Sequence, residues 1–287
     1  MLRLRSWMFV PGNSEKMIGK ALGLELDVAM LDLEDGVVPS LKADARRVTS
    51  AALGSPRANP LPMRYVRVNS ASSGLIDDDL QSVVVAGLDG IVLPKVESVA
   101  EVTSVAERLE ALERSRGLEV GSVKMMLAIE TPGAVLIAPA LATAAPRVSG
   151  LMFGAEDFSR EINLPTVRTG HARDFIFARS MIVMAAAAAG KLSVDGVWPD
   201  LTDEEGLRAD ALLGRDLGFS GKSMIHPGQV RPVNEIFSPT AKDIEYATAL
   251  VKDFEKATEA GLGSISFGGQ LVDRPIYERA LSTLRNA

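Results

Sequence analysis

Two apolar runs in this chain end in acids that a buried strand could not hold. Gly150-Leu151-Met152-Phe153-Gly154-Ala155 leads into Glu156 and Asp157, and Met125-Met126-Leu127-Ala128-Ile129 leads into Glu130, then Thr131-Pro132-Gly133. Short, wholly apolar stretches of this kind read as buried parallel strands. Acids delivered at the C-terminal ends of two such strands suit a hard divalent cation such as Mg²⁺. That ion takes few protein carboxylates and leaves its other positions to water and substrate. A plainer reading also stands: Glu156 and Asp157 cap the next helix, and Glu130 is a solvated loop acid. Asp32-Leu33-Glu34-Asp35-Gly36 places three acids in four positions at another strand end, more than a turn requires. Asp32, Glu34 and Asp35 either orient Arg67 or a metal-bound water from a second layer, or cap the following helix. Arg67 sits in the alternation Tyr65-Val66-Arg67-Val68-Asn69. It is either an ion-pair partner for a neighbouring strand's acid or a clamp for a carboxylate. Lys95, after Pro94, reads as a tie between strand ends and stays outside the catalytic set. His226, closing a strand against Pro227, either serves the structure, the commoner case, or faces a bound substrate.

Positioning such groups requires strands that end together. Apolar runs at 6–10, 28–31, 65–69, 89–93, 125–129, 150–153, 192–197 and 221–225 predict eight strands. Helices are expected between them: one capped by Ser14, one over 40–53, one running to about Arg114, one from about His171 to Gly190, and one capped by Thr202 that stops at Gly218. Residues 54–63 read as a connection without function, and a polar loop carrying Arg160, Asn163 and Arg168 follows Phe158. Met8, Met30, Met125, Met126, Met152 and Met224 read as core filling. Strands alternating with helices imply a parallel sheet. In a doubly wound open sheet the acids would gather at one switch point. Here charges terminate nearly every strand, which is the habit of a (β/α)₈ TIM barrel. The expected organisation is a barrel over 1–237 with a C-terminal extension over 238–287. That extension holds a helix over 240–260, a glycine-rich segment over 261–275 and a last short helix, with no sequence repeat and no linker.

The bulk properties narrow the chemistry. The chain has 287 residues, 47% of them hydrophobic, and a net charge of −6. An acidic balance argues against a nucleic-acid surface. No apolar run approaches the ~20 residues of a membrane span. The first residues lack the pattern of a signal peptide, so a cytoplasmic protein is expected. With no cysteine and two histidines, disulfides, thiolate sites and a histidine-rich zinc site are not expected. Carboxylates, arginine, lysine and backbone must do the work.

Several stretches, in order along nearly the whole chain, carry a resemblance. They include Val10-Pro11-Gly12-Asn13, Asp32-Leu33-Glu34-Asp35-Gly36, Leu93-Pro94-Lys95-Val96-Glu97-Ser98, Phe153-Gly154-Ala155-Glu156-Asp157, Gly218-Phe219-Ser220-Gly221-Lys222 and Ile225-His226-Pro227. The chain resembles the citrate lyase β-subunit-like acyl-CoA lyases of the HpcH/HpaI aldolase superfamily. The resemblance implies a Mg²⁺-dependent barrel, commonly a homotrimer or larger, that cleaves or forms a C–C bond in a 3-hydroxy-acyl thioester such as malyl-, citramalyl- or citryl-CoA. It puts Glu130 and Asp157 on metal-ligand positions and Arg67 on a carboxylate-binding position. The bound oxo acid would lie against the backbone of Gly154, Ala155, Glu156 and Asp157. Asp273 matches an acid/base on a C-terminal lid that reaches a neighbouring subunit. Alternatives on the same site are a malyl-CoA-type thioesterase and a citrate lyase β subunit acting on a carrier-protein-bound citryl thioester. Selection of the acyl group is expected to depend on pocket shape around Trp7, Phe153 and the 158–170 loop.

Overall fold

The computed structural model describes residues 3–57, 59–165 and 175–287. The chain divides into two compact units, Leu2–Asn234 and Glu235–Ala287. In the first, eight parallel strands close into a barrel in chain order, with β1 (Ser6–Pro11) pairing both β2 (Val28–Asp32) and β8 (Gly221–Met224). Between them run β3 (Met63–Arg67), β4 (Gly90–Leu93), β5 (Lys124–Ile129), β6 (Val148–Phe153) and β7 (Leu192–Asp195). The eight expected strands all form, most shifted by one or two residues. The connecting helices are α1 (Glu15–Leu22), α2 (Lys42–Leu53), α3 (Ile76–Val83), α4 (Val99–Ser115), α5 (Pro132–Leu136), α6 (Ala138–Ala142), α7 (Ala155–Glu161), α8 (Ile176–Ala188) and α9 (Glu204–Leu217), with α10 (Val230–Ile236) after the last strand. Among the described residues no helix is long and apolar enough to cross a membrane.

The barrel interior is filled by inward-facing side chains of alternate strand positions. Trp7, Met30, Tyr65, Val92, Met126, Met152 and Val194 form one buried cluster. Trp7 packs edge-on against Tyr65 with ring centroids 5.0 Å apart, and its indole N–H donates to the Leu4 carbonyl. Trp7 is therefore core, and the expectation that it shapes a substrate pocket is corrected. Gly90 is the counterpart of this crowding, because a Cβ there would strike the Tyr65 ring. All six methionines expected to fill core are buried.

Lys222 lies in β8, within a stretch that carries the resemblance. Its ammonium donates to Asp195 of β7 at 3.0 Å, to the Gly196 carbonyl at 2.6 Å and to Asp210 of α9. Arg179 of α8 joins the same two acids, so four buried charges tie β7, β8, α8 and α9 together. Two helix starts differ from expectation. Asp203, not Thr202, caps α9 by accepting from the Gly206 amide, because the Thr202 hydroxyl is already bonded to Asp200. Residues 155–161 form α7 where a polar loop was expected from Phe158 onward. Arg168 and His171, and with them part of the expected 158–170 loop, lie outside the described residues.

The second unit contains α11 (Ala241–Glu259), a hairpin of β9 (Ile265–Phe267) and β10 (Gln270–Val272), and α12 (Arg274–Arg285). Ala247, Leu250, Phe254, Val272 and Ala280 form its own small core.

Candidate active site

The charged residues singled out from the sequence collect at the C-terminal ends of β2 to β6, five consecutive staves of the barrel. Their pairing begins with register. Asp32 and Arg67 are direct partners across the β2–β3 ladder, so their side chains leave the sheet side by side. Arg67 Nε and Nη2 donate to the two Asp32 oxygens at 2.7 and 2.6 Å, a bidentate pair. Asp32 also accepts from the Glu34 and Gly36 amides at 2.8 and 2.9 Å, so the 32–36 loop wraps its carboxylate. The guanidinium lies over the Phe9 ring, 4.6 Å from its centroid. Burial alone would depress the Arg67 guanidinium. The hydrogen bonds and charge of Asp32, with help from Glu34 and Glu130, instead raise it above its ordinary value. Asp32 thus holds one edge of the Arg67 guanidinium, and Leu41, the N-cap of α2, makes no side-chain cap bond.

Glu34 and Asp35 face a residue left outside the expected site. Lys95 Nζ lies 2.7 Å from Glu34 Oε1 and 3.1 Å from Asp35 Oδ2. These acids lift the Lys95 ammonium above its ordinary value against the cost of burial. Glu34 Oε2 lies 3.1 Å from Arg67 Nη1 but makes no aligned hydrogen bond, and burial pushes the Glu34 carboxyl up. Lys95 thus ties the ends of β4 and β2, as its place after Pro94 suggests. Its backbone holds a φ of +52°, which type and spacing do not forecast.

Glu130, immediately after β5, is 5% exposed. Its one hydrogen bond among the described residues comes from the Lys95 amide to Oε2, at 2.8 Å. Burial and the charge of Glu34 push the Glu130 carboxyl up to about 7, with Arg67 opposing and Asp157 adding to the rise. Gly154 is required beside it, since a Cβ there would collide with the Glu130 side chain. Gly154 then serves as the N-cap of α7, with Ala155 buried and Glu156 and Asp157 in the first turn. Asp157 pairs with the exposed Arg160 at 2.6 Å. Among the described residues no group of three or more His, Cys, Asp or Glu side chains is arranged to hold a metal. The donor set that remains, Glu130 with Asp157, fits Mg²⁺, which accepts one or two carboxylates and keeps its waters. A divalent cation would also offset the excess negative charge that Glu130 feels.

The match to known proteins covers this whole arrangement. Residues 5–227 fit the HpcH/HpaI aldolase/citrate lyase family. The chain belongs to that family. It is 38% identical to citrate lyase subunit beta of Haemophilus influenzae over 99% of this chain and 96% of that protein. It is 33% identical to human mitochondrial citramalyl-CoA lyase over 98% of this chain and 84% of that protein. Protein CitE of Mycobacterium tuberculosis, solved in complex with magnesium, acetoacetate and coenzyme A, superposes with a TM-score of 0.78 at 28% identity, covering 99% of this chain and 98% of that one. As a member of the HpcH/HpaI aldolase/citrate lyase family, this chain is a carbon–carbon lyase.

Asp273 lies in the second compact unit, and His226 follows the end of β8. Asp273 precedes α12 as its N-cap. Its side chain is exposed and makes no capping bond. His226 is a cap: its Nδ1 accepts from the Gly228 amide at 3.1 Å at the start of a single 3₁₀ turn.

Proposed function

We propose that this lyase is Mg²⁺-dependent and cleaves, or in reverse forms, a 3-hydroxy-acyl-CoA of the citramalyl- or malyl-CoA kind, yielding acetyl-CoA and a 2-oxo acid. The observation that carries the reading is a buried, under-bonded carboxylate, Glu130, within electrostatic reach of a guanidinium that Asp32 holds by two hydrogen bonds. Glu130 and Asp157 would hold the metal. When bound, Mg²⁺ supplies Lewis-acid stabilisation of developing oxygen charge. Arg67, already fixed on one edge, offers its remaining N–H groups to the carboxylate of the oxo-acid half and so orients the bond to be broken. The N–H groups at the start of α7 lack intrahelical acceptors and face the same use.

In the cleavage direction the 3-hydroxyl would pass its proton to the Asp273 carboxylate as the C2–C3 bond breaks, and the same group would return it to carbon. The electron pair of that bond passes into the thioester enolate, and the enolate carbon takes a proton. We assign that proton to Asp273, an acid whose helix-capping position leaves its carboxylate unspent. It would act from a neighbouring copy in a homo-oligomer, a trimer in the reading from resemblance. Water is excluded from the enolate in this scheme. A thioesterase would instead admit a water at that point.

The identity to a bacterial citrate lyase β subunit favours one second reading, a citryl thioester on a carrier protein. Product analysis separates the possibilities. The protein would be incubated with Mg²⁺ and malyl-CoA or citramalyl-CoA, with an EDTA control. Matched, EDTA-sensitive release of acetyl-CoA and oxo acid is expected. Free CoA without acetyl-CoA would mean a thioesterase, and no turnover with either thioester would move the assignment to a carrier-bound substrate.

A further inference from the structure

Lys95 has no part in the scheme above, yet it is joined to Glu130 of that scheme and to two neighbouring acids, Glu34 and Asp35. Its left-handed backbone, a conformation that residues with side chains seldom adopt, makes two separate connections from one position. The amide reaches Glu130 Oε2, and the ammonium reaches Glu34 Oε1 and Asp35 Oδ2.

The second connection bears on Arg67. Asp32 occupies Nε and one hydrogen of Nη2, so the donors left for a substrate carboxylate are those of Nη1 and the second hydrogen of Nη2. Glu34 Oε2 lies 3.1 Å from Nη1, buried and without an aligned hydrogen bond. Glu34 is therefore a competitor for the edge of the guanidinium that a substrate would use. Its other oxygen is held by Lys95 alone among the described contacts.

We infer that Lys95 is a positioning residue that keeps Arg67 available to an anionic substrate. By holding Glu34 through Oε1, its ammonium keeps Oε2, 3.1 Å from Nη1, from turning into an aligned hydrogen bond with it, while its amide holds Glu130 whatever the side chain. The inference rests on the oxo-acid site proposed above and adds to it a residue whose side chain touches neither proposed metal ligand.

Three variants divide the two connections. Lys95→Gly keeps the amide, suits a positive φ and removes the ammonium. Lys95→Val removes the ammonium and, being β-branched, resists that φ. Lys95→Arg keeps the charge. The readouts are Mn²⁺ affinity by electron paramagnetic resonance, pyruvate affinity by calorimetry at saturating Mn²⁺, and thermal unfolding. Lys95→Gly is expected to weaken pyruvate binding about tenfold, the scale of one charge-assisted hydrogen bond, with Mn²⁺ binding retained or tightened because a nearby cation has gone. Lys95→Val should weaken both, and Lys95→Arg should restore pyruvate binding. If Lys95→Gly binds pyruvate as the unmodified protein does, the inference is overturned and the site reading stands. Parallel loss of Mn²⁺, pyruvate and thermal stability in Lys95→Gly would also overturn it, since that is what a merely structural residue gives. If the unmodified protein binds Mn²⁺ but neither pyruvate nor glyoxylate, the oxo-acid site itself fails, and the inference with it.

Discussion

Glu130 gives up its proton only near pH 7, because burial and the neighbouring Glu34 both oppose its charge. In the metal-free protein its folded-state value lies above the ordinary 4.5, so the folded chain holds a proton there that the unfolded chain releases. The associated stability is fully present below the ordinary value and is lost as pH rises through about 7. In EDTA, Glu130→Gln should therefore gain thermal stability relative to the unmodified protein as pH is raised from 5 to 8. A constant difference across that range would show that Glu130 is not shifted. Asp157 has the opposite structural weight. Its ion pair is with an exposed arginine three residues along the same helix, a contact of little consequence for folding. Asp157→Ala should abolish Mg²⁺-dependent turnover while leaving the circular dichroism spectrum unchanged; full activity would remove it from the metal site. The types and positions of these acids were legible from their places after apolar runs. Their proton affinities were not, because burial is a property of what surrounds a residue.

Helices and strands are tied at the other rim of the barrel by a different set of charges. Glu113, near the end of α4, accepts from the Gly121 and Val123 amides and from both terminal nitrogens of Arg147, which precedes β6. Both side chains are buried. Arg147→Met would leave Glu113 charged and half-satisfied, costing about 3–5 kcal/mol in urea unfolding. A double variant with Glu113→Gln should cost less than the sum of the two single changes, since each removes the other's unpaired charge. Activity per folded molecule should be unchanged, because this pair joins α→β ends and the carboxylate cluster lies at β→α ends. At this scale the long helices were readable from caps and periodicity: Ser98 and Thr240 each form a complete capping box. The short elements were not. Seven residues of α7 are too few to display a helical period. The hairpin of β9 and β10 was hidden in a glycine-rich stretch. Gly268 and Gly269, both at positive φ, form the tight connection that three-residue strands need, and paired glycines between apolar residues were the available signal.

Across the molecule, an acidic chain gathers acids from several strands on one mouth of a closed barrel. A cation that binds only the folded state raises its stability by linkage, about 2.7 kcal/mol at a hundredfold excess over the dissociation constant. Mg²⁺ should thus raise the unfolding temperature over an EDTA control in the unmodified protein and not in Asp157→Ala. Equal shifts in both would mean that the ion binds elsewhere.

The barrel itself was determined by the sequence alone. Apolar strand runs, helix caps between them and charges at strand ends are local patterns, and local patterns are enough to specify βα units. The tertiary structure decided which charges meet. Register made Asp32 the partner of Arg67, a left-handed turn brought Lys95 to Glu34 and Glu130, and barrel closure put Trp7 in the core. Each of these depends on which residues of distant strands share one small volume, and no spacing along a single chain encodes that.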